Sequence, residues 1–423
     1  MGKQRTDAEQ QIAELLRTAK RCLRLDVAFL TRMDATTQHL EVVESDVPLP
    51  IRDGRTQRRE TSFCQAILDG RLPAVIPDVT AFPVARAFPA VRLAHIRSFV
   101  SVPVVLSDGT VYGTFCAAGS SPCRELAERD RSLLGVLAAA AAVIVEPGAQ
   151  ERSRRSEIEA RLGPVLAAGG PVVALQPIIA LATGVRVGAE ALSRFPADWQ
   201  RAPDVCFAEA HRVGRGHRLE LLALERAAEH LGRVSGYVAM NVSPVTLLQP
   251  ECARLLDRLP LERILLELSE QYPVGDYQAL KSVLAPLRGR GMRLAIDDVG
   301  AGFSSLRHIV LTAPDVIKLD RSIVHGVSTD PVLATLVAAL VQFGRGSGAQ
   351  LVAEGIETAA DAAALLGLGV DLGQGWHFGR PGPPEKLAER VPATTLSLPA
   401  QRPAAAGRSP ARAGPAGGGP LGR

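Results

Sequence analysis

No stretch of this 423-residue chain supplies the about 18–20 consecutive apolar residues that a membrane-crossing helix needs. The longest apolar run, Leu133–Val145, is 13 residues and rich in alanine, which suits a buried helix. The opening MGKQRTDAEQ has no apolar core region, so no signal peptide and a cytoplasmic location are expected. The six cysteines (Cys22, Cys64, Cys116, Cys123, Cys206, Cys252) are scattered without a C-x-x-C pair. That pattern excludes a structural zinc site and reads as free thiols in a reducing compartment. Aromatics are only 4%, too sparse for base-stacking platforms. Excess charge is also lacking once its location is considered. The formal charge is +4, but four arginines lie from Val391 onward, where there is no Asp or Glu, and the other 44 basic residues balance 44 acidic ones. No nucleic-acid partner is therefore expected. Lysine is scarce, with five against 43 arginines.

What is present is 47% apolar sequence, enough for two or three folded units. Residues 1–146 read as an α+β unit: a helical period over Gln10–Leu25, then strand-like runs at Val27–Leu30, Leu40–Val43, Ala74–Ile76, Phe99–Leu106 and Val111–Ala117. Ser107-Asp108-Gly109 reads as a hairpin turn, and Leu133–Val145 as a closing helix that Pro147-Gly148 breaks. Residues 147–168 read as a charged connector with a helix over Glu151–Leu162. Residues 169–395 alternate strand-like and helix-like stretches. Eight strand-like runs begin at Pro171, Val185, Tyr237, Ile264, Met292, Val316, Gln350 and Gly373, and predict a closed α/β barrel of TIM type, with a doubly wound sheet as the alternative. Residues 396–423 are mostly Pro, Ala, Gly and Arg with few large apolar residues, a composition expected to be disordered.

Each run of the barrel segment stops at a polar residue: Gln176, Glu190, Asn241, Glu267, Asp297 with Asp298, Lys318, Glu354 and Gln374. Parallel strands would gather these at one mouth. A single acid after a strand is usually a helix cap or a solvated turn. A ring of oxygen ligands with one rare lysine is a different pattern. So many carboxylates repel one another unless hard divalent cations bind, and Mg²⁺ or Mn²⁺ take such oxygens. Two ions bridged by a carboxylate such as Asp297 form a site suited to phosphodiester hydrolysis.

Glu190-Ala191-Leu192, followed by Ser193-Arg194, resembles the signature of EAL-type cyclic di-GMP phosphodiesterases. Gln176-Pro177-Ile178, Asn241-Val242-Ser243-Pro244, Glu267-Leu268-Ser269-Glu270 and the loop from Asp297 to Leu306 follow in the family's order. Lys318-Leu319-Asp320, Glu354-Gly355-Ile356-Glu357 and Gln374-Gly375 complete the set, over about residues 170–385. The resemblance implies that Glu190, Asn241, Glu267 and Asp297 hold one metal and that Asp297 and Asp298 contribute to a second. It implies that Lys318 and Glu354 position or deprotonate the attacking water, and that Gln374 supports the metal shell. Glu270 would hold the aspartate loop, while Gln176 and Arg194 would contact cyclic di-GMP, giving linear pGpG. Val299 and Ala301 stand where the family usually has Phe and Thr, and both lie in the loop that links the family's metal site to its dimer interface. A homodimer is expected by the same analogy. The alternative is a barrel that senses the dinucleotide without cleaving it. No Gly-Gly-Asp/Glu-Glu-Phe motif occurs, so synthesis of the dinucleotide is not expected.

The first unit resembles GAF sensory domains through Val27–Arg32, Ser62-Phe63-Cys64, Ser98–Val104 and Gly109–Cys116. These motifs define a fold rather than a ligand. Cys64, Cys116 and His95 are the residues that could meet a small-molecule or redox signal, although a buried thiol is more often a small hydrophobe.

Overall fold

The computed structural model describes residues 5–47, 51–88, 91, 93–268, 275–299 and 309–387. The chain divides into two compact units, Met1–Glu157 and Ile158–Arg423.

In the first unit, strands β1 (Val27–Met33), β2 (Thr37–Ser45), β3 (Thr56–Arg58), β4 (Val75–Ile76), β5 (Ser98–Val105) and β6 (Val111–Gly119) form a six-stranded sheet in the order β3-β2-β1-β6-β5-β4. All of its pairings are antiparallel. Apolar side chains alternate between two cores, as the two-residue repeat of a strand requires. Ala28, Leu30, Phe115 and Ala117 join one cluster; Val27, Phe29, Cys116 and Ala118 join the other. The first helix, Asp7–Leu23, begins earlier than the apolar period because Thr6 and Glu9 form a reciprocal capping box. The Ser107–Gly109 turn is as expected, with Gly109 at φ 84° and Asp108 Oδ1 accepting from the Thr110 amide at 2.8 Å. Strand β3 gave no sequence signal because all three of its residues are polar and exposed.

Pro147-Gly148 does not break the chain there. A single 40-residue helix runs from Glu128 to Ala167, through Pro147 and through Gly163-Pro164. A proline inside a helix removes one hydrogen bond and costs about 3 kcal/mol. Packing on both sides offsets this: Leu134, Ala138, Ala141 and Ala142 are buried in the first unit, and Ile158, Leu162 and Val165 in the second. By length and composition this helix could cross a bilayer. Its Leu134–Ala142 face, however, is committed to the sheet core. Pro147→Ala should therefore stabilise the protein by about 1–3 kcal/mol. A thermal melt with an unchanged or lower midpoint would contradict a continuous helix.

The second unit is a closed barrel. Its strands are β7 (Val172–Ala180), β8 (Arg186–Arg194), β9 (Tyr237–Val242), β10 (Ile264–Leu268), β11 (Arg293–Val299), β12 (Val316–Leu319), β13 (Gln350–Ala353) and β14 (Leu372–Gly373). The barrel matches the expected class with one departure: β7 runs antiparallel to both β8 and β14. Only five residues separate β7 from β8, which suits a hairpin rather than a helical crossover. Gln176 and Glu190 consequently lie at mid-strand, paired with each other, rather than at strand ends.

Ile178, Ala239, Leu265, Ala295, Val316, Val352 and Leu372, from seven different strands, form with Tyr237 a small separate cluster that fills the barrel interior. Branched side chains from the helices and the outward strand faces make the larger core, including Leu266, Ile296, Ile317 and Leu351.

Candidate active site

Strand periodicity places the site. Two residues beyond the interior layer on each parallel strand, the same face carries Asn241, Glu267, Asp297, Lys318, Glu354 and Gln374. On the antiparallel β7 the same step runs backwards, from Ile178 to Gln176. A hydrophobic floor is thus capped by one polar layer.

Lys318 is its centre. The side chain is 1% exposed and its ammonium meets four carboxylates: Glu354 at 2.6 Å, Glu267 at 3.0 Å, Asp297 at 3.1 Å and Glu190 at 3.5 Å. Burial alone would lower its pKa, but the four acids together hold it well above the usual lysine value. Burial pushes the Glu267 and Glu354 carboxyls well above the ordinary range, against the pull of Lys318. Glu190 goes the other way: Lys318, Gln374 and Asn241 together outweigh its burial and lower its pKa.

Amides tie the acids together. Asn241 Nδ2 donates to Glu190 Oε1 at 3.0 Å and to Glu267 Oε2 at 3.2 Å, leaving its carbonyl oxygen free of that work. Gln374 Nε2 donates to Glu190 Oε2 at 2.5 Å and to Gln176 Oε1 at 3.0 Å. Gln374 sits where it does because the 374–377 backbone hugs Ile356. A Cβ at Gly375 would lie 2.1 Å from the Ile356 oxygen, so only glycine fits. The two aspartates occupy an irregularity in the β11–β12 pairing between Ile296 and Val299. Asp298 takes a left-handed φ of 58° and donates its amide to Asp297 Oδ1 at 3.0 Å. An L-residue adopts that conformation at a cost, which is common at functional turns.

Two triads could hold cations: Glu190, Glu267 and Asp297, and Asp297, Asp298 and Glu354, each with ligand oxygens within 4.8 Å of one another. Asp297 belongs to both. The buried oxygens Glu267 Oε1 and Gln374 Oε1 have no hydrogen-bond partner. Unsatisfied buried acceptors beside several acids fit hard divalent cations, which bind through oxygen.

Two cavities flank the layer and share Glu190. One, of about 290 Å³, is lined by Arg194, Asn241, Asp297 and Asp298. The other, of about 280 Å³, is lined by Gln176, Glu354, Gln374 and also by Arg321, Glu357 and Trp376. Arg194 stands at the last residue of β8, apart from the carboxylate ring, with its guanidinium donating to the Ser193 carbonyl at 2.9 Å. Glu270 and Ala301 lie outside the described residues, as does the tail from residue 388.

Sequence reading missed three contributors. Glu220, on helix Gly216–Ala228, accepts from the Ser243 amide at 2.8 Å and so fixes the turn two residues after Asn241. It sits mid-helix in a charged stretch, where nothing marks it. Arg321 pairs with Glu357 at 2.9 Å on the rim of the second cavity. Trp376 is 53% exposed beneath the Arg380 guanidinium, 4.1 Å from its ring centroid. As one of only two tryptophans, it was the detectable signal.

The family model of the EAL domain matches residues 160–381, and that of a GAF domain residues 6–146. Among curated proteins, the chain is 29% identical over 227 residues to the cyclic di-GMP phosphodiesterase PdeL of Escherichia coli, covering 50% of this chain and 63% of that one. It is 30% identical over 234 residues to the bifunctional diguanylate cyclase/cyclic di-GMP phosphodiesterase MucR of Pseudomonas aeruginosa, covering 52% of this chain and 34% of that one. It therefore spans less than two thirds of either relative. Among solved structures, Klebsiella pneumoniae BlrP1 in a calcium/cyclic di-GMP complex is 31% identical, with a TM-score of 0.45 over 50% of this chain and 55% of that one.

Proposed function

Because the chain belongs to the EAL domain family, we propose that it hydrolyses cyclic di-GMP to linear pGpG at the barrel mouth, using two Mg²⁺ or Mn²⁺ ions. The observation that carries the reading is the shared position of Asp297 in two carboxylate triads around a buried lysine. Glu190, Glu267, Asp297 and the Asn241 carbonyl would hold one ion, and Asp297 with Asp298 the other. Bound there, the ions would lower the pKa of water and offset charge developing on the phosphate oxygens.

The chain's own residues do the rest. Glu354, whose carboxyl burial holds well above the ordinary range and which lines the second cavity, would accept the proton of the attacking water. Lys318 would orient that water and keep the acids from repelling each other. Gln374 steadies Glu190, and Glu270 would brace the aspartate loop. Arg194 would grip a substrate phosphate by a forked pair, with Gln176 on the opposite side. Residues 169–395 are assigned this chemistry. Residues 1–146 are assigned a sensory role for a small-molecule or redox signal, passed through residues 147–168, in a cytoplasmic homodimer.

The test is direct. Purified protein with cyclic di-GMP and Mg²⁺ or Mn²⁺ should yield pGpG by chromatography, and chelation should stop it. Binding without product under either metal would favour a receptor instead. A separate prediction needs no turnover. At about 100 times its dissociation constant, Mn²⁺ should stabilise the barrel by about 2.7 kcal/mol, read as a raised melting midpoint. Glu267→Gln should lose most of that shift, and an undiminished shift would remove Glu267 from the metal site.

A further inference from the structure

Two of the six cysteines touch, and neither belongs to the barrel. Cys64 lies on helix Phe63–Leu68 and Cys116 in the middle of β6, and their sulfurs are 3.4 Å apart. Both side chains are buried, at 2% and 0% exposure. Their surroundings differ. Cys64 lines a cavity of about 260 Å³, walled by Phe29, Phe63 and Phe99 with Arg55 and Gln57 among its polar groups; Cys116 does not line it. Cys116 lies behind, with the hydroxyls of Ser101 and Thr114 each 3.2 Å from its sulfur. A simple hydrophobic filler needs no second thiol in contact and no pair of hydroxyls beside it.

We propose that Cys64 and Cys116 form a reversible dithiol–disulfide site, in which Cys64 meets a hydroperoxide entering the cavity and Cys116 resolves the product. The Cys64 sulfur attacks one peroxide oxygen and the O–O bond breaks. That gives a sulfenic acid on Cys64 and water or an alcohol, which keeps the thiol proton. The Cys116 sulfur then attacks the Cys64 sulfur and displaces hydroxide, which takes the Cys116 proton as water. Two thiols and one hydroperoxide thus become one disulfide plus water and the reduced peroxide, a two-electron exchange that an external thiol reverses. The sulfurs must close from 3.4 Å to about 2.05 Å for the bond to form. The order of events follows the chemistry of the two thiols. The contact with Cys116 holds the Cys64 thiol below its usual pKa, whereas burial pushes Cys116 well up. The more acidic thiol is the better first nucleophile, and it is the one at the cavity.

The site stands whether or not the barrel is a hydrolase. The reduced full-length protein is treated with near-stoichiometric hydrogen peroxide, alkylated, digested and mapped by mass. The expected result is a Cys64–Cys116 linked peptide, with two thiols lost under denaturing titration and regained with dithiothreitol. In Cys116→Ser, Cys64 should instead be trapped by dimedone as a sulfenic acid. If peroxide consumes only Cys22 and Cys123, or leaves Cys64 and Cys116 reduced, the proposal is wrong. The wild-type map decides this even if the variant does not fold.

Discussion

Lys318→Met is expected to slow cyclic di-GMP hydrolysis by about 10²–10⁴-fold while leaving substrate affinity within a few-fold, the usual range for losing a group that positions or moves a proton. The same substitution should change stability in a way that a purely chemical role would not. One ammonium faces Glu190, Glu267, Asp297 and Glu354 inside a nearly closed layer. Removing one partner of a buried ion pair costs about 3–5 kcal/mol, because the partner charge is left without compensation. Metal-free Lys318→Met should therefore unfold at clearly lower denaturant.

The pH dependence has a definite sign. Glu267 and Glu354 bind their protons more tightly in the folded protein than in the unfolded chain. Such groups contribute stability that is complete below the ordinary carboxylate range and is lost as pH rises through the folded values. Without the ammonium those values rise further, so Lys318→Met should lose more stability at pH 8 than at pH 5. Mn²⁺ should restore much of the loss, since it replaces the missing positive charge. Denaturation midpoints at both pH values, with and without metal, test this. Equal losses at the two pH values, or an unchanged rate of hydrolysis, would remove Lys318 from the role assigned to it.

The polar layer was legible because a strand carries its own ruler. Val316 and Lys318, or Leu265 and Glu267, lie two residues apart and so share a face. A short apolar run ending in an acid betrays that face without any knowledge of the fold. What a ruler cannot reveal is direction. The one local sign that β7 runs antiparallel is the five-residue link to β8; read as an all-parallel barrel, the pattern put Gln176 at a strand end, and it stands instead at mid-strand opposite Glu190. The 40-residue helix was misread for a related reason. Proline and glycine report local preference, whereas the burial of Leu134 and Ala138 on one side and Ile158 and Leu162 on the other is tertiary. Glu220 was missed because its partner, the Ser243 amide, is brought to it only by the folded backbone, whereas Trp376, stacked by Arg380 four residues along, was marked by its rarity alone.

Asp297→Asn should be the more damaging of the two aspartate changes. Asp297 is the only residue common to both triads, and Asp298 belongs to one. Replacing a carboxylate oxygen by an amide nitrogen keeps the shape but removes a charge and a hard ligand from both positions at once. Loss of about 4 kcal/mol of transition-state stabilisation is expected, a fall of roughly 10³-fold in kcat/KM. Asp298→Asn should cost less and should leave one ion bound, because Glu190, Glu267 and Asp297 remain. The measurement that separates them is metal stoichiometry by calorimetry alongside the rate. Two ions on the wild type, one on Asp298→Asn and weak or absent binding on Asp297→Asn is the expected series. There is a competing effect: the neutral amide in Asp297→Asn would also relieve repulsion among the acids around Lys318, so this variant should be more stable than wild type when metal is absent. A protein that becomes more stable, binds fewer ions and stops turning over is the signature of a bridging carboxylate. Loss of activity with both ions still bound would show that Asp297 acts on the substrate instead.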